Sequence, residues 1–214
     1  MLRDMYNVDI LTLIILGCLL LIAVSKTLFP KRFDQFTLLL FNSRYSNLYI
    51  KDQRFFDIFE GLLFFNLLLN IGLLVYSYLN FYNLTSLSQL DIFKYAILIG
   101  LFIVLKVLFE RLLSSVLDIE HIIDKYLFQK ISFRNFIGLL LLPINAFLIY
   151  TFKPDQTVYY IVFSVILLIL FFGLFLFVKN NLNTFKKSLF YFILYLCALE
   201  IAPYVVLYKI IVTQ

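Results

Sequence analysis

Val158–Val178, VYYIVFSVILLILFFGLFLFV, runs for 21 positions without a charged residue. At ~1.5 Å of rise per residue that is the length an α-helix needs to cross a hydrocarbon layer of ~30 Å. Working outward, the same character recurs in Val8–Phe29, Phe55–Leu79, Ile92–Leu113, Phe136–Phe152 and Leu189–Ile211. The fourth of the six is the shortest and contains Pro143; Asn145 is placed to close the backbone hydrogen bond that the proline opens. Of 214 residues, 63% are hydrophobic and 14% charged, with six glycines and four prolines. Such a chain has neither the polar surface of a soluble domain nor the turn punctuation of an all-β one. We therefore read an all-α, polytopic membrane helical bundle of six transmembrane helices occupying residues 1–214 as one domain.

Charge predicts the orientation. Lys26, Lys31, Arg32, Arg44, Lys51 and Arg54 lie between the first two spans, and Lys106, Arg111, Lys125, Lys130 and Arg134 lie around the connection from the third to the fourth. Lys179, Lys186 and Lys187 follow the fifth, whereas the opposite side has only Arg3, Lys94, Lys153 and Lys209. A split of 14 to 4 puts both termini outside by the positive-inside rule. Tyr76, Tyr78, Tyr82, Tyr150, Tyr159 and Tyr160 fall at outer span ends, where an amphipathic ring is favoured, and tyrosine takes this place in a chain without tryptophan. The net charge of +5 is spread over three connections, which fits contact with anionic lipid heads and speaks against nucleic acid.

The first span imitates a targeting signal through Ala23-Val24-Ser25 and Ile15-Leu16-Gly17-Cys18. Asp4 and Asp9 against a single Arg3 leave no positive leader, so an uncleaved span is expected. Two connections have amphipathic patterns, Phe33–Phe41 and Leu117–Phe128, and both are expected along the inner membrane surface, the second alternatively as an extension of the third span. Either could meet a partner.

Cys18 and Cys197 stand alone, as buried small hydrophobes do, and His121 beside Asp118 and Glu120 reads as a solvated helical face rather than a metal site. The spans have no histidine to ligate haem, and we expect no cofactor and no metal. An intramembrane aspartate pair, a Ser/His pair, HExxH and a glycine-rich phosphate loop are all missing from the sequence, so no enzyme is expected.

Two polar sets remain. Asn66, Asn70, Asn145 and Glu200 come near the midplane, where amides can satisfy a carboxyl group. Glu60, Lys106, Glu110 and Arg111 lie nearer the basic side as a candidate ion-pair network; Lys106 and Glu110 are i and i+4, Glu60 could reach them from a neighbour, and Arg111 could snorkel to the interface. Such groups either hold helices together or form a proton, ion or substrate path. Pro143 near Asn145 and Pro203 near Glu200 also suit the broken helices of transporters, although no inverted repeat is evident.

The closing segment Phe192–Ile210 (FILYLCALEIAPYVVLYKI), with Asn135–Phe147 (NFIGLLLLPINAF), resembles the family called domain of unknown function 4271, small bacterial multi-pass membrane proteins. The likeness extends over nearly the whole chain in length and span pattern and is sharpest at Leu196–Pro203; a bulkier apolar residue is usual where Ala202 stands. It implies the inner, cytoplasmic membrane of a Gram-negative cell and supplies no activity or site residues. The expected role is a non-catalytic accessory or scaffold subunit of an envelope-biogenesis or protein-export assembly, with the bilayer and a membrane protein as partners. The alternative is a small transporter or lipid-handling protein using the site around Glu200.

Overall fold

The computed structural model describes residues 9–39, 57–82, 88–116, 120–150 and 155–180. They form six helices, α1 (Asp9–Leu28), α2 (Pro30–Thr37), α3 (Ile58–Phe81), α4 (Asp91–Val116), α5 (Glu120–Tyr150) and α6 (Gln156–Asn180), with no strand among the described residues. All but α2 are long and apolar enough to cross a membrane. The expected sixth span, 189–211, lies outside the described residues.

Local chemistry sets the helix ends. The backbone leaves helical geometry at Phe29 (φ −132°, ψ 59°), and α2 restarts on Pro30, whose missing N–H costs nothing in a first turn. Asp57 caps α3 by accepting from the Phe59 N–H at 3.2 Å. Ser88 N–H donates to Asp91 Oδ2 at 2.8 Å before α4, and Gln156 N–H to Asp155 Oδ1 at 2.8 Å at the start of α6.

Cross-helix contacts fix the topology. Glu60 meets Asn135 and Asn70 meets Asn145, both at a separation of 75 residues, so α3 and α5 run parallel and in one register. Tyr150 at the end of α5 donates to Thr12 near the start of α1, which makes α1 antiparallel to them. Gln129 reaches the Gly173 carbonyl while Ser77 meets Tyr159, so α6 is antiparallel as well. Direction alternates along the chain, and the described basic connections collect at one end, opposite the rings of Tyr78, Phe81, Tyr82 and Tyr159.

The α3–α5 pair forms the centre, because α3 packs most extensively on α5 and then on α4 and α1. Gly138 makes the close approach possible: a Cβ there would stand 2.7 Å from Leu67 Cα. Small residues serve the same purpose generally in membrane helices, where van der Waals packing replaces the hydrophobic drive. Leu63, Leu67, Leu73 and Leu141 are buried around this axis, whereas Leu101, Leu108, Leu168 and Phe171 project from the outer faces of α4 and α6. That apolar exterior suits lipid.

One expectation is corrected. The fourth span does not begin at Phe136: α5 starts at Glu120 and runs unbroken for 31 residues, so 120–128 neither lies apart on the membrane surface nor extends the third span. No glycine or proline interrupts residues 117–137, and Gln129, Ser132 and Asn135 turn inward where their amide and hydroxyl donors meet acceptors on neighbouring helices. The first amphipathic segment forms α2, which turns Phe33 and Phe36 into the bundle, with the Phe36 ring edge-on to Phe59 at 5.7 Å and to Phe136 at 6.0 Å.

Candidate functional site

At the basic end the charged residues form two linked sets of contacts. Arg32 of α2 pairs with the Asp57 cap and lies 3.7 Å from Glu60 Oε1, with its guanidinium over the Phe59 ring. The Glu60 carboxylate accepts from Asn135 Nδ2 at 2.6 Å and Ser132 Oγ at 3.3 Å, tying α3 to α5. On α4, Glu110 is completely buried and receives Lys130 Nζ of α5 on both oxygens, at 2.7 and 3.0 Å. Lys106 Nζ stands 3.9 Å from the same carboxylate, one turn away. A buried carboxylate without its cation costs ~3–5 kcal/mol, so the Glu110–Lys130 contact fixes α4 against α5. Arg111 and Asp124, 4.0 Å apart, are both more than a third exposed and add ~0–1 kcal/mol.

Deeper in the bundle the asparagines make a ladder. Asn145 Nδ2 donates to the Asn70 carbonyl at 2.9 Å and to Asn70 Oδ1 at 3.2 Å. Asn70 Nδ2 in turn donates to the Asn66 carbonyl at 2.9 Å and Asn66 Oδ1 at 3.2 Å. The Cys18 thiol of α1 reaches the Asn70 side chain from the other side. All four residues are buried, at no more than 1% exposure. Asn66 and Asn70 share a face because they are one turn apart on α3, and the parallel register brings Asn145 level with Asn70. Asn145 therefore spends its amide on α3 and does not mend the gap opened by Pro143. Amides neither gain nor lose protons near neutral pH, so the chemistry available to this ladder is hydrogen bonding and the ordering of three helices.

The structure brings Asn66, Asn70 and Asn145 together; Glu200 lies outside the described residues. Lys106 and Glu110 adjoin as their spacing implies, Glu60 engages Arg32, Ser132 and Asn135, and Arg111 meets Asp124. Sequence reasoning did not assign Arg32, Asp57, Lys130, Ser132 and Asn135 to these contacts. The signal was present in the absence of glycine and proline over residues 120–137, which suits a helix containing Lys130 and Asn135 better than a connector.

No curated protein and no solved structure matches the chain significantly. A family profile matches residues 11–211, from the first helix to the end of the closing hydrophobic stretch. The chain belongs to the family described as a domain of unknown function (DUF4271).

Proposed function

We propose that this chain is a non-catalytic integral protein of the bacterial inner membrane that serves as an accessory or scaffold subunit of a larger envelope-biogenesis or protein-export assembly. The observation that supports the reading is how the polar groups of the described spans are used. Asn66, Asn70 and Asn145 are sealed among α1, α3 and α5, and Glu110 is sealed by Lys130, so these side chains join helices instead of lining an opening. The broad apolar faces of α4 and α6 meet lipid and leave room for a membrane partner. The 14 to 4 distribution of cations supports termini on the outside.

Extraction of the tagged full chain in several mild detergents, followed by mass spectrometry, tests this. A specific, stoichiometric membrane protein should accompany it, and recovery only as a lone chain under every condition contradicts the scaffold role. The second reading is transport or lipid handling: Asn66 Nδ2 is buried without a hydrogen-bond partner, an unspent donor at the level where Glu200 is expected.

A further inference from the structure

We propose that the cavity between the basic-end halves of α4 and α5 is a lipid site that takes the primary-ammonium headgroup of a phosphatidylethanolamine. The cavity has a volume of about 550 Å³, within the range of ~300–1,000 Å³ that holds small ligands. Leu108, Leu112 and Val116 of α4 line one wall, and all three are exposed, so the space is open toward the acyl chains around the bundle. Glu120 and Asp124 of α5 line the other wall, one helical turn apart and therefore on one face.

These two carboxylates have acceptor capacity to spare. Among the described residues, the Glu120 carboxylate makes no hydrogen bond or ion pair, and that of Asp124 meets Arg111 at 4.0 Å, beyond hydrogen-bond distance. The described lining thus carries one cation against two carboxylates, the reverse of the balance at this end of the bundle as a whole. An ionised carboxylate only accepts, so the complementary ligand is a cation with N–H donors. A primary ammonium has three of them, whereas the trimethylammonium of a choline headgroup has none. Arg111, on the α4 side of the cavity, presents a planar fork of the kind that meets phosphate oxygens, so both charges of a zwitterionic headgroup find their complement.

The level of the cavity fits a phospholipid. Leu108 and Val116 are 17 and 25 residues from Asp91 at the far end of α4, or ~26 and ~38 Å along the axis. A hydrocarbon layer of ~30 Å ends between them, and headgroups occupy the next ~5–7 Å. The leucine wall therefore meets acyl chain while the carboxylates stand at headgroup level. The site holds whether the chain scaffolds or transports.

The test uses the full chain, delipidated in a neutral detergent, with native mass spectrometry during titration with phosphatidylethanolamine or phosphatidylcholine of identical acyl chains. The wild type should bind one phosphatidylethanolamine about tenfold more tightly than phosphatidylcholine, the scale of one charge-assisted hydrogen bond. Glu120→Ala with Asp124→Ala should abolish the preference, and the fold should survive because both side chains are more than a third exposed. Asp34→Ala, which removes an exposed carboxylate of α2 at the same end of the bundle, should keep it. A wild type indifferent to the headgroup, or a preference that survives the double substitution, overturns the proposal. Millimolar phosphoethanolamine separates the sources: it should leave the lipid bound, whereas displacement of the lipid assigns the site to a soluble amine and overturns the lipid.

Discussion

Replacing Gly138 by alanine adds a single methyl group at the closest approach of the two central helices. Its Cβ would stand 2.7 Å from Leu67 Cα, 2.8 Å from Leu67 Cβ and 3.1 Å from Leu67 N. Carbon atoms prefer ~3.5–4.0 Å, so α3 and α5 must part by about 0.8 Å, and the nearest atoms are backbone that cannot swing aside. The strain of such overpacking is ~1–3 kcal/mol. Parting the helices also stretches the Asn135–Glu60 and Asn145–Asn70 hydrogen bonds that flank Gly138, each worth ~0.6 kcal/mol. Against this stands the gain of ~1 kcal/mol when alanine replaces glycine inside a helix. The net expectation is a loss of about 1–3 kcal/mol. Gly17→Ala is the control, since no atom lies within 4 Å of a Cβ there and only the propensity gain applies. Reversible unfolding of purified protein in mixed micelles reads both variants. A Gly138→Ala protein as stable as the Gly17→Ala one would refute the close-packed α3–α5 contact.

Glu110→Gln leaves Lys130 facing a neutral amide in a buried site and should destabilise the protein by ~3–5 kcal/mol in the same assay, whereas Glu110→Leu with Lys130→Met should recover most of the loss; a double variant no better than Glu110→Gln alone contradicts the pairing. Asn70→Leu removes the middle of the asparagine ladder, leaving Asn145 only its bond to the residue 70 carbonyl and one amide hydrogen without an acceptor, which should cost ~1–3 kcal/mol, and a neutral result would show that the ladder does not join the helices. For Glu200, Gln keeps a hydrogen-bonding side chain of the same size, so membrane abundance should match wild type in Glu200→Gln and fall in Glu200→Ala and Glu200→Lys. Equal abundance in all three contradicts a structural role.

Much of the fold was legible because a membrane helix writes its length in apolar residues. Five of the expected spans coincide with helices, and their boundaries at Asp57, Asp91 and Asp155 carry side-chain caps visible in the sequence. The beginning of α5 was not legible by apolarity, because its first half carries charges and amides. Those residues read as a connector when taken singly; only the neighbours supplied by α3, α4 and α6 make Gln129, Lys130, Ser132 and Asn135 tolerable inside the bundle. Depth along the spans was enough to group the three asparagines, since residues at one level in parallel helices meet. It was not enough to pair the charges, because Glu60 and Glu110 lie at similar depth with several cations in reach. Which cation each one takes depends on helix rotation and on the position of α2, and neither is encoded in distance along the chain.

The alternating arrangement of the helices, with the basic connections gathered on one side of a membrane, is tested most directly by single cysteines in an otherwise cysteine-free chain. Glu120→Cys and Lys179→Cys sit at the basic end, and Ser88→Cys and Gln156→Cys at the tyrosine end, all at exposed positions. A membrane-impermeant maleimide applied to spheroplasts should label the second pair at once and the first pair only after the membrane is opened. Labelling of Glu120→Cys or Lys179→Cys as readily as Gln156→Cys in sealed spheroplasts would contradict the account.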